Sequence, residues 1–197
     1  PDTLAAINNL ASNYDSQGQY KKAEPLFEAC FQKRTVVLGE DHPDTLMAMS
    51  SLANTYNHQG KYDKAEPLLQ ACFKKRTVVL GEDHPNTLAA MNSLANTYNY
   101  QGHYAKAEPL HEACFKKRRV LLGEDHPDTL RAMNDLAHTY NRQGQYAKAE
   151  TLFQACFKKR RVILGEDHPA TLTAMYNLAI TYQSQGQYDK AESLCEA

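Results

Sequence analysis

The chain of 197 residues contains no tryptophan, no long apolar run and almost no excess of charge of one sign. Because no apolar run approaches the roughly 18 residues that a membrane-spanning helix needs, the sequence predicts no transmembrane segment. Lysine and arginine number 22 and aspartate and glutamate 23, so the formal net charge is −1. This balance gives no global attraction for nucleic acid or for an anionic membrane, and we expect neither as a partner.

Cysteine is scarce, and its spacing argues against disulfides and zinc sites. Cys30, Cys72, Cys114 and Cys156 recur every 42 residues, and Cys195 is out of register. Equivalent residues of stacked helices lie roughly 8–10 Å apart, beyond the roughly 7 Å between Cα atoms that a disulfide tolerates. Single cysteines also lack the paired spacing of a zinc site. We therefore expect buried free thiols at the four recurring positions, as in a cytoplasmic protein.

Sequence patterns of catalysis are missing as well. There is no glycine-rich phosphate loop, no pair of catalytic carboxylates and no nucleophile elbow. The histidines at positions 58, 103, 111 and 138 have no Ser, Cys or Asp partner at a recognisable spacing. We predict that the chain is not an enzyme and that it has no cofactor and no catalytic or metal site.

A repeat of 42 residues organises the sequence. The tetrapeptide Glu-Asp-His-Pro ends at Pro43, Pro85, Pro127 and Pro169, and Pro1 is in phase with them. The repeats are residues 1–42, 43–84, 85–126 and 127–168, with a partial fifth at 169–197. Periods of 20–50 residues are typical of solenoids and other arrays, in which each repeat packs on its neighbours. We therefore predict a single repeat array over residues 1–197.

Each repeat has the pattern of two amphipathic helices. In the first copy, the apolar residues from Leu4 to Tyr14 fall within an arc of about 160° at 100° per residue, and Gly18 ends that helix. The second helix is predicted from Tyr20 to Leu38, with an apolar arc that extends to its last residues. A single hairpin cannot bury these faces alone, so neighbouring hairpins must stack.

Several polar features allow more than one interpretation. The Pro1-Asp2-Thr3 at the start of the first copy predicts a helix start with short polar residues as caps. Arg34 falls inside the apolar arc, and we expect its stem to pack while its head reaches Glu40 or Asp41. The Glu-Asp-His loops suit loop or cap chemistry better than metal binding. The basic clusters at 74–76, 116–119 and 158–161 match the helix dipole, or alternatively form a ridge for an acidic partner or nucleic acid.

These residues resemble a known repeat. The first copy carries, in order, Leu10, Ala11, Tyr14, Gly18, Tyr20, Ala23, Phe27 and Cys30. This is similar to the tetratricopeptide repeat, and the 42-residue length resembles kinesin light chains and the near-identical arrays of fungal and bacterial NLR-like proteins. The resemblance implies an all-α, right-handed superhelical solenoid of antiparallel helix hairpins. It also implies a concave groove, lined by the first helices, that binds an extended peptide or protein segment.

The residues on the polar side of the first helix differ most among the copies. Either they drift because nothing constrains exposed positions, or they differ because this surface selects partners. Asparagine recurs there although a helix interior disfavours it, and its amide can both donate and accept hydrogen bonds. In arrays of this kind such an asparagine row holds a peptide, so the resemblance places peptide binding on this face. The predicted peptide-binding residues are Asn8, Ser12, Met47, Ser50, Asn54, Asn57, Asn92, Asn96, Asn99, Tyr100, Arg131, Asn134, His138, Asn141, Arg142 and Tyr176.

Two functions follow from this pattern. The first is a protein-interaction scaffold, and the alternative is a sensing or self-assembly arm of a larger NLR-like signalling protein with no dedicated peptide ligand. The chain starts without methionine and stops within a repeat, so we expect a piece of a longer protein. Its last second helix is short and has no polar capping helix after it, which predicts exposed apolar residues at Leu172, Met175 and Leu178. That end predicts fraying near residues 193–197 or end-to-end self-association.

Overall fold

The computed structural model describes residues 2–196, and every regular element among them is an α-helix. The helices alternate between a first helix and a second helix of each repeat. They are α1 (Asp2–Ser16), α2 (Tyr20–Leu38), α3 (Pro43–His58), α4 (Tyr62–Leu80), α5 (Pro85–Tyr100), α6 (Tyr104–Leu122), α7 (Pro127–Arg142), α8 (Tyr146–Leu164), α9 (Pro169–Ser184) and α10 (Tyr188–Glu196). The predicted bounds of the second helix, Tyr20 to Leu38, are confirmed. Within the described range, no helix has both the length and the apolar character to cross a bilayer.

The chain divides into two compact units, and the division falls between the two helices of the third repeat. Unit 1 spans Pro1–Gly102 and contains α1 to α5, whereas unit 2 spans His103–Ala197 and contains α6 to α10. In each unit, consecutive helices pack against each other as hairpins. The all-α fold of stacked helix hairpins is therefore confirmed, and the extent of one array over the whole chain stays a prediction.

A histidine, and not a short polar residue, caps α3, α5, α7 and α9, the first helices from the second repeat onward. The ring Nδ1 of His42 accepts a hydrogen bond from the backbone N–H of Asp44 at 3.1 Å, and Pro43 occupies the first helical position. The imidazole takes this N–H, while Pro has no N–H that needs a partner. The short polar cap predicted at Pro1-Asp2-Thr3 of the first copy stays a prediction, because the residue before α1 lies outside the described residues. The same cap occurs at His84, His126 and His168. The Glu-Asp-His loops thus contribute cap chemistry.

The turn between the two helices of a repeat is short because a glycine takes a left-handed conformation. Gly18 has φ of 72°, and the N–H of Gln19 bonds to the carbonyl of Tyr14 at 2.8 Å. This closure satisfies carbonyls at the helix end and reverses the chain within three residues. The second helix therefore returns along the first and can pack against it.

The core of each unit is built where three consecutive helices meet. In unit 1, Leu46 and Met49 of α3 pack with Cys72 of α4 and Ala90 of α5. The corresponding cluster in unit 2 contains Leu130, Met133, Cys156 and Ala174. Small residues at the contact points let the helices approach closely. Each cluster takes residues from two repeats, so neither repeat completes its core alone.

The predicted free thiols are confirmed at the four recurring positions, which are all fully buried. The thiol of Cys72 lies 3.4 Å from the carbonyl oxygen of Leu46, to which it donates. Burial raises the pKa of the Cys114 thiol to about 11, which keeps it protonated and unreactive. The side chain of Cys195 lies outside the described residues.

Leucines at one repeat position show how much cover a neighbouring hairpin provides. Leu52 of α3 is 4% exposed, whereas its equivalent in α1, Leu10, is 45% exposed. Among the described residues a hairpin packs ahead of α3 and none packs ahead of α1, which accounts for the difference. The apolar arc predicted for α1 is thus only partly covered.

The partial fifth repeat departs from its prediction in one respect. Leu172 is exposed as expected and Met175 is half-buried, but Leu178 is buried in a cluster with Phe153 and Tyr182. Leu178 was predicted to lose its cover, and it does not because Ala191 of the short α10 belongs to the same cluster. The helix α10 continues to Glu196, and Ala197 lies outside the description.

Polar contacts fix the register between successive repeats. Glu24 of α2 accepts hydrogen bonds from Gln59 at 2.8 Å and from Lys61 at 2.7 Å, both in the turn of the next repeat. The bond from Lys61 lowers the pKa of the Glu24 carboxyl. In unit 2, Glu108 accepts in the same way from Gln143 at 2.8 Å. The Glu of Ala-Glu-Pro-Leu therefore acts in stacking.

The buried arginines of α2, α4 and α6 donate to backbone carbonyls and not to loop carboxylates, so that expectation was wrong. Arg34 is 7% exposed and donates to the carbonyl oxygen of Asp44 at 2.9 Å. Because its guanidinium is taken up there, Glu40 and Asp41 bind Lys75 of the next repeat instead, at 3.0 and 2.6 Å. The equivalent lysine in unit 2, Lys159, binds Glu124 and Asp125. Part of each basic cluster thus joins neighbouring repeats.

We predict that Arg76→Lys lowers the free energy of unfolding by about 2 kcal/mol, because a buried cation loses one of two hydrogen bonds. Arg76 donates to the carbonyls of Asn86 at 2.8 Å and of Leu46 at 3.2 Å, which a lysine cannot reach together. Urea unfolding followed by circular dichroism measures the change. The control Lys74→Gln installs the residue found at Gln32 and should leave the midpoint unchanged. Equal midpoints for both variants would contradict the proposed role of the arginine.

Candidate functional site

The first helices expose one stripe of side chains, at positions spaced by four, three and four residues. This spacing keeps the four side chains on one side of a helix. In α3, α5 and α7 all of these residues are exposed or half-buried. We call these positions the first-helix stripe, which consists of Met47, Ser51, Asn54 and His58, of Ala89, Ser93, Asn96 and Tyr100, and of Arg131, Asp135, His138 and Arg142.

Seven of the predicted binding residues lie on this stripe. They are Met47, Asn54, Asn96, Tyr100, Arg131, His138 and Arg142; Ser12 of α1 holds an equivalent, exposed position. The prediction omitted Ser51, Ser93 and Asp135, which complete the stripe. Their spacing of four residues from Met47, Ala89 and Arg131 is a signal that could have found them.

Predicted residues at a second position turn toward packed elements. Asn8 and Ser50 approach the buried thiol of their own repeat, and the Ser50 Oγ lies 3.1 Å from the Cys72 Sγ. Asn134 accepts a hydrogen bond from the Asn177 amide at 3.0 Å, between α7 and α9. The fourth residue at this position, Asn92, is buried. The fifth, Tyr176, is 64% exposed and lies on the surface of unit 2.

Predicted residues at a third position hold successive first helices together. The amide of Asn57 donates to the Thr97 hydroxyl at 2.8 Å, and Asn141 donates to Thr181 at the same distance. Asn99, at the same repeat position, is half-buried. These bonds give Asn57 and Asn141 a role in stacking.

The last stripe position packs on the tyrosine that begins the preceding second helix. The ring of Tyr100 stacks on Tyr62 with centroids 5.4 Å apart, and His58 lies on Tyr20 at 4.9 Å. In unit 2, the Arg142 guanidinium lies over Tyr104 at 5.9 Å. The stripe thus ends at a pair of packed planar groups, which can contact the flat side of a ligand group.

Shallow recesses lie beside these tyrosines. One recess of about 600 Å³ in unit 1 is lined by Gly18, Tyr20, Gln59 and Lys61. A recess of about 680 Å³ in unit 2 is lined by Gly144, Tyr146, Ser184 and Gln185. Both are open surfaces between the turns of successive repeats, so they suit a bound polypeptide better than an enclosed small molecule.

The stripes of the two units differ in charge. In unit 1, the α3 and α5 stripe contains apolar, hydroxyl and amide side chains, and its His58 lies 3.3 Å from Asp15. In unit 2, the α7 stripe contains Arg131, Asp135 and Arg142, and Arg131 is paired with Asp128 at 2.6 Å. The two surfaces therefore favour different partner side chains.

One of the histidines without a predicted partner is a core residue. His111 of α6 is fully buried, and its Nδ1 lies 2.8 Å from the Thr139 hydroxyl. Phe27, Leu69 and Phe153 occupy the same repeat position. Burial lowers the pKa of the His111 imidazole to about 4, and the nearby Asp135 carboxylate offsets this only in part.

We predict that His111 makes unit 2 less stable in mild acid. Between pH 6.5 and about 4 the unfolded chain binds a proton that the folded chain does not, so the free energy of unfolding falls as the pH falls through this range. His111→Phe should remove up to about 3 kcal/mol of that loss. The difference in urea midpoint between the two proteins, measured from pH 7.5 to 4.5, isolates this histidine from other acids. A difference that is independent of pH would refute the prediction.

The spacing, caps and stacking described above occur together in one repeat family. The tetratricopeptide repeat model matches residues 2–74, 46–119, 104–161 and 134–196. The chain belongs to the tetratricopeptide repeat family. Members of this family generally mediate protein–protein interaction and are typically not enzymes. No curated protein matches the sequence. The part of the chain that the structure describes contains no group of three His, Cys, Asp or Glu side chains that could hold a metal ion.

Solved structures share this tetratricopeptide solenoid fold. The nearly identical TPR-like repeats of a kinesin light chain candidate from Podosopora anserina are 29% identical, with a TM-score of 0.85 over 100% of this chain and 93% of that one. BtubC (BKLC) from P. vanneervenii is 23% identical, with a TM-score of 0.81 over 96% and 76%. A Rap protein complexed with Competence and Sporulation Factor is 16% identical, with a TM-score of 0.80 over 95% and 50%. The predicted likeness to kinesin-light-chain arrays is confirmed.

Proposed function

We propose that this tetratricopeptide repeat chain is an interaction scaffold that binds an extended segment of a partner protein on the first-helix stripe. The observation that carries the proposal is the set of sequence positions at which the third and fourth repeats differ. They differ at 10 of 42 positions, and four of these are the stripe positions. The four pairs are Ala89 and Arg131, Ser93 and Asp135, Asn96 and His138, and Tyr100 and Arg142.

Random change at exposed sites accounts for this distribution less well than selection does. The second helices of the same repeats also change at exposed positions, such as Pro109 to Thr151 and Leu121 to Ile163. They keep others, since Lys116, Arg119 and Val120 are matched by Lys, Arg and Val in the fourth repeat. The stripe instead changes at all four of its positions, which supports selection for different contacts.

The chemistry of the stripe suits an extended polypeptide. The amides of Asn54 and Asn96 are half-buried on a surface without regular backbone edges, and an amide can both donate to and accept from a peptide group. Around them, Met47 and Tyr100 offer apolar contacts in unit 1, whereas Arg131 and Arg142 offer charge in unit 2. The Rap structure, which is a complex, supports ligand binding by this fold. Contacts from amides would hold the segment, and the variable residues would select its side chains.

The test starts with peptides selected on the full chain from a random library. Four substitutions then replace stripe residues by those of another repeat: Met47→Ala, Tyr100→Ser, Arg131→Ala and Arg142→Ser. Each new residue occurs naturally at an equivalent position, so the fold should tolerate it. We expect the affinity for selected peptides to fall about tenfold or more in at least one variant, because a few exposed contacts carry most of the binding energy.

The matched control is Lys158→Gln, which makes a similar repeat exchange on a second helix. It should leave the affinity unchanged, and thermal melting of all five variants should match the parent. Unchanged affinity in all four stripe variants, or a loss of affinity in the control as large as in the stripe variants, would refute the proposal.

A further inference from the structure

The last turn of each second helix exposes large apolar side chains. Val36 and Val78 in unit 1 are 86% and 80% exposed, and Val120 and Val162 in unit 2 are 75% and 85% exposed. The following residues, Leu121 and Ile163 in unit 2, are also about half exposed. The sequence predicted that the apolar arc extends into this turn, and the structure shows that the turn is largely uncovered.

Helix length explains why the described residues of each unit leave this turn uncovered. The second helices α4 and α8 have 19 residues and the first helices α3 and α7 have 16, so these second helices are about 4.5 Å longer. Local propensity does not explain the residues themselves, since Val and Ile are weaker helix formers than Lys, Glu or Ala. An exposed valine is nevertheless present in all four copies, including the two that diverge along the stripe.

In unit 2, cations lie beside this apolar row. Arg119 and Arg161 directly precede the exposed valines, and their guanidinium groups lie over Phe115 and Phe157 at 5.6 and 5.5 Å. In unit 1 the same position holds Thr35 and Thr77, whose hydroxyls bond to backbone carbonyls one turn earlier at 2.8 Å. The positive charge at this one repeat position is therefore specific to unit 2.

The acidic loops of unit 2 only partly neutralise this charge. Glu124 and Asp125 are occupied by Lys159, at 3.3 and 2.6 Å. Glu166 lies 4.0 Å from Arg161, at the limit of an ion pair, and both side chains are largely exposed. Lys116 and Lys158 add exposed cations one turn before the valines. The surface therefore combines apolar side chains with an excess of positive charge.

We propose that this second-helix row of unit 2 (Val120, Leu121, Val162 and Ile163, with Arg119 and Arg161) docks an acidic amphipathic helix of a partner protein. The apolar face of such a helix would cover the valines, and its carboxylates would pair with the guanidinium groups. An amphipathic helix fits better than nucleic acid, because the exposed row itself holds no aromatic ring on which a base could stack. This site uses the second helices and does not depend on the first-helix stripe.

The test uses the full chain and a labelled four-turn synthetic helix with leucines on one face and glutamates on the other. Fluorescence anisotropy measures its affinity for the parent and for the double variant Arg119→Thr/Arg161→Thr, which installs the residues of unit 1. We expect the double variant to bind the helix about tenfold more weakly than the parent. High salt should weaken binding to the parent more than it weakens binding to the variant. Val120→Thr/Val162→Thr, which keeps side-chain shape, should also weaken binding.

Two controls distinguish docking on this row from general attraction between opposite charges. The stripe variant Arg131→Ala/Arg142→Ser also removes two arginines from unit 2 and should bind the helix like the parent. A scrambled peptide of the same composition should bind at least tenfold more weakly. Unchanged binding in the Arg119/Arg161 variant, equal binding of the scrambled peptide, or tighter binding of anionic vesicles or an RNA duplex would overturn the proposal. The last result would identify a membrane or nucleic acid as the occupant.

Discussion

Burial of one hairpin's apolar face by the next hairpin is the interaction on which the rest of this structure depends. Each core cluster combines residues of two repeats, with small residues where helices touch. Leu10 and Leu52 differ in exposure by a factor of about ten because, among the described residues, only Leu52 has a hairpin packed ahead of its helix. The stability of such an architecture is a sum over the contacts between neighbouring repeats. Every repeat must therefore keep the same packing surfaces.

That requirement accounts for the pattern of constant and variable residues. Residues that cap, turn or stack, such as the histidine caps, the turn glycines and the glutamate that binds the next turn, recur in the copies. The first-helix stripe takes no part in most of these contacts and is free to differ. Function in a repeat of this kind therefore belongs to positions that the stacking leaves unused, which is why the divergence along the stripe carries more weight than the constancy elsewhere.

The fold could be predicted from the sequence because its determinants are local and repeated. The period gives the repeat, the spacing of apolar residues gives the helices, and glycine gives their ends, so the bounds at Tyr20 and Leu38 agreed with the structure. The Glu-Asp-His loop was expected to supply loop or cap chemistry, although the pattern did not show that the His42 ring takes the N–H of Asp44. The contact of Arg34 with a backbone carbonyl could not be predicted, because it depends on where chain segments meet in space. The candidate surface was predictable only in part for the same reason. Helical spacing identified Met47, Asn54 and Tyr100, but it could not show that the Asn57 amide turns toward Thr97.

The pairing of Glu24 with Gln59 and Lys61 has a direction. Every complete repeat presents an acceptor carboxylate to the repeat that follows it and a donor amide to the repeat that precedes it. Any two copies can consequently be neighbours, in one orientation only. Gain or loss of a whole copy through unequal recombination would leave matching ends on either side of the junction, so the length of such a chain can evolve without the invention of a new contact.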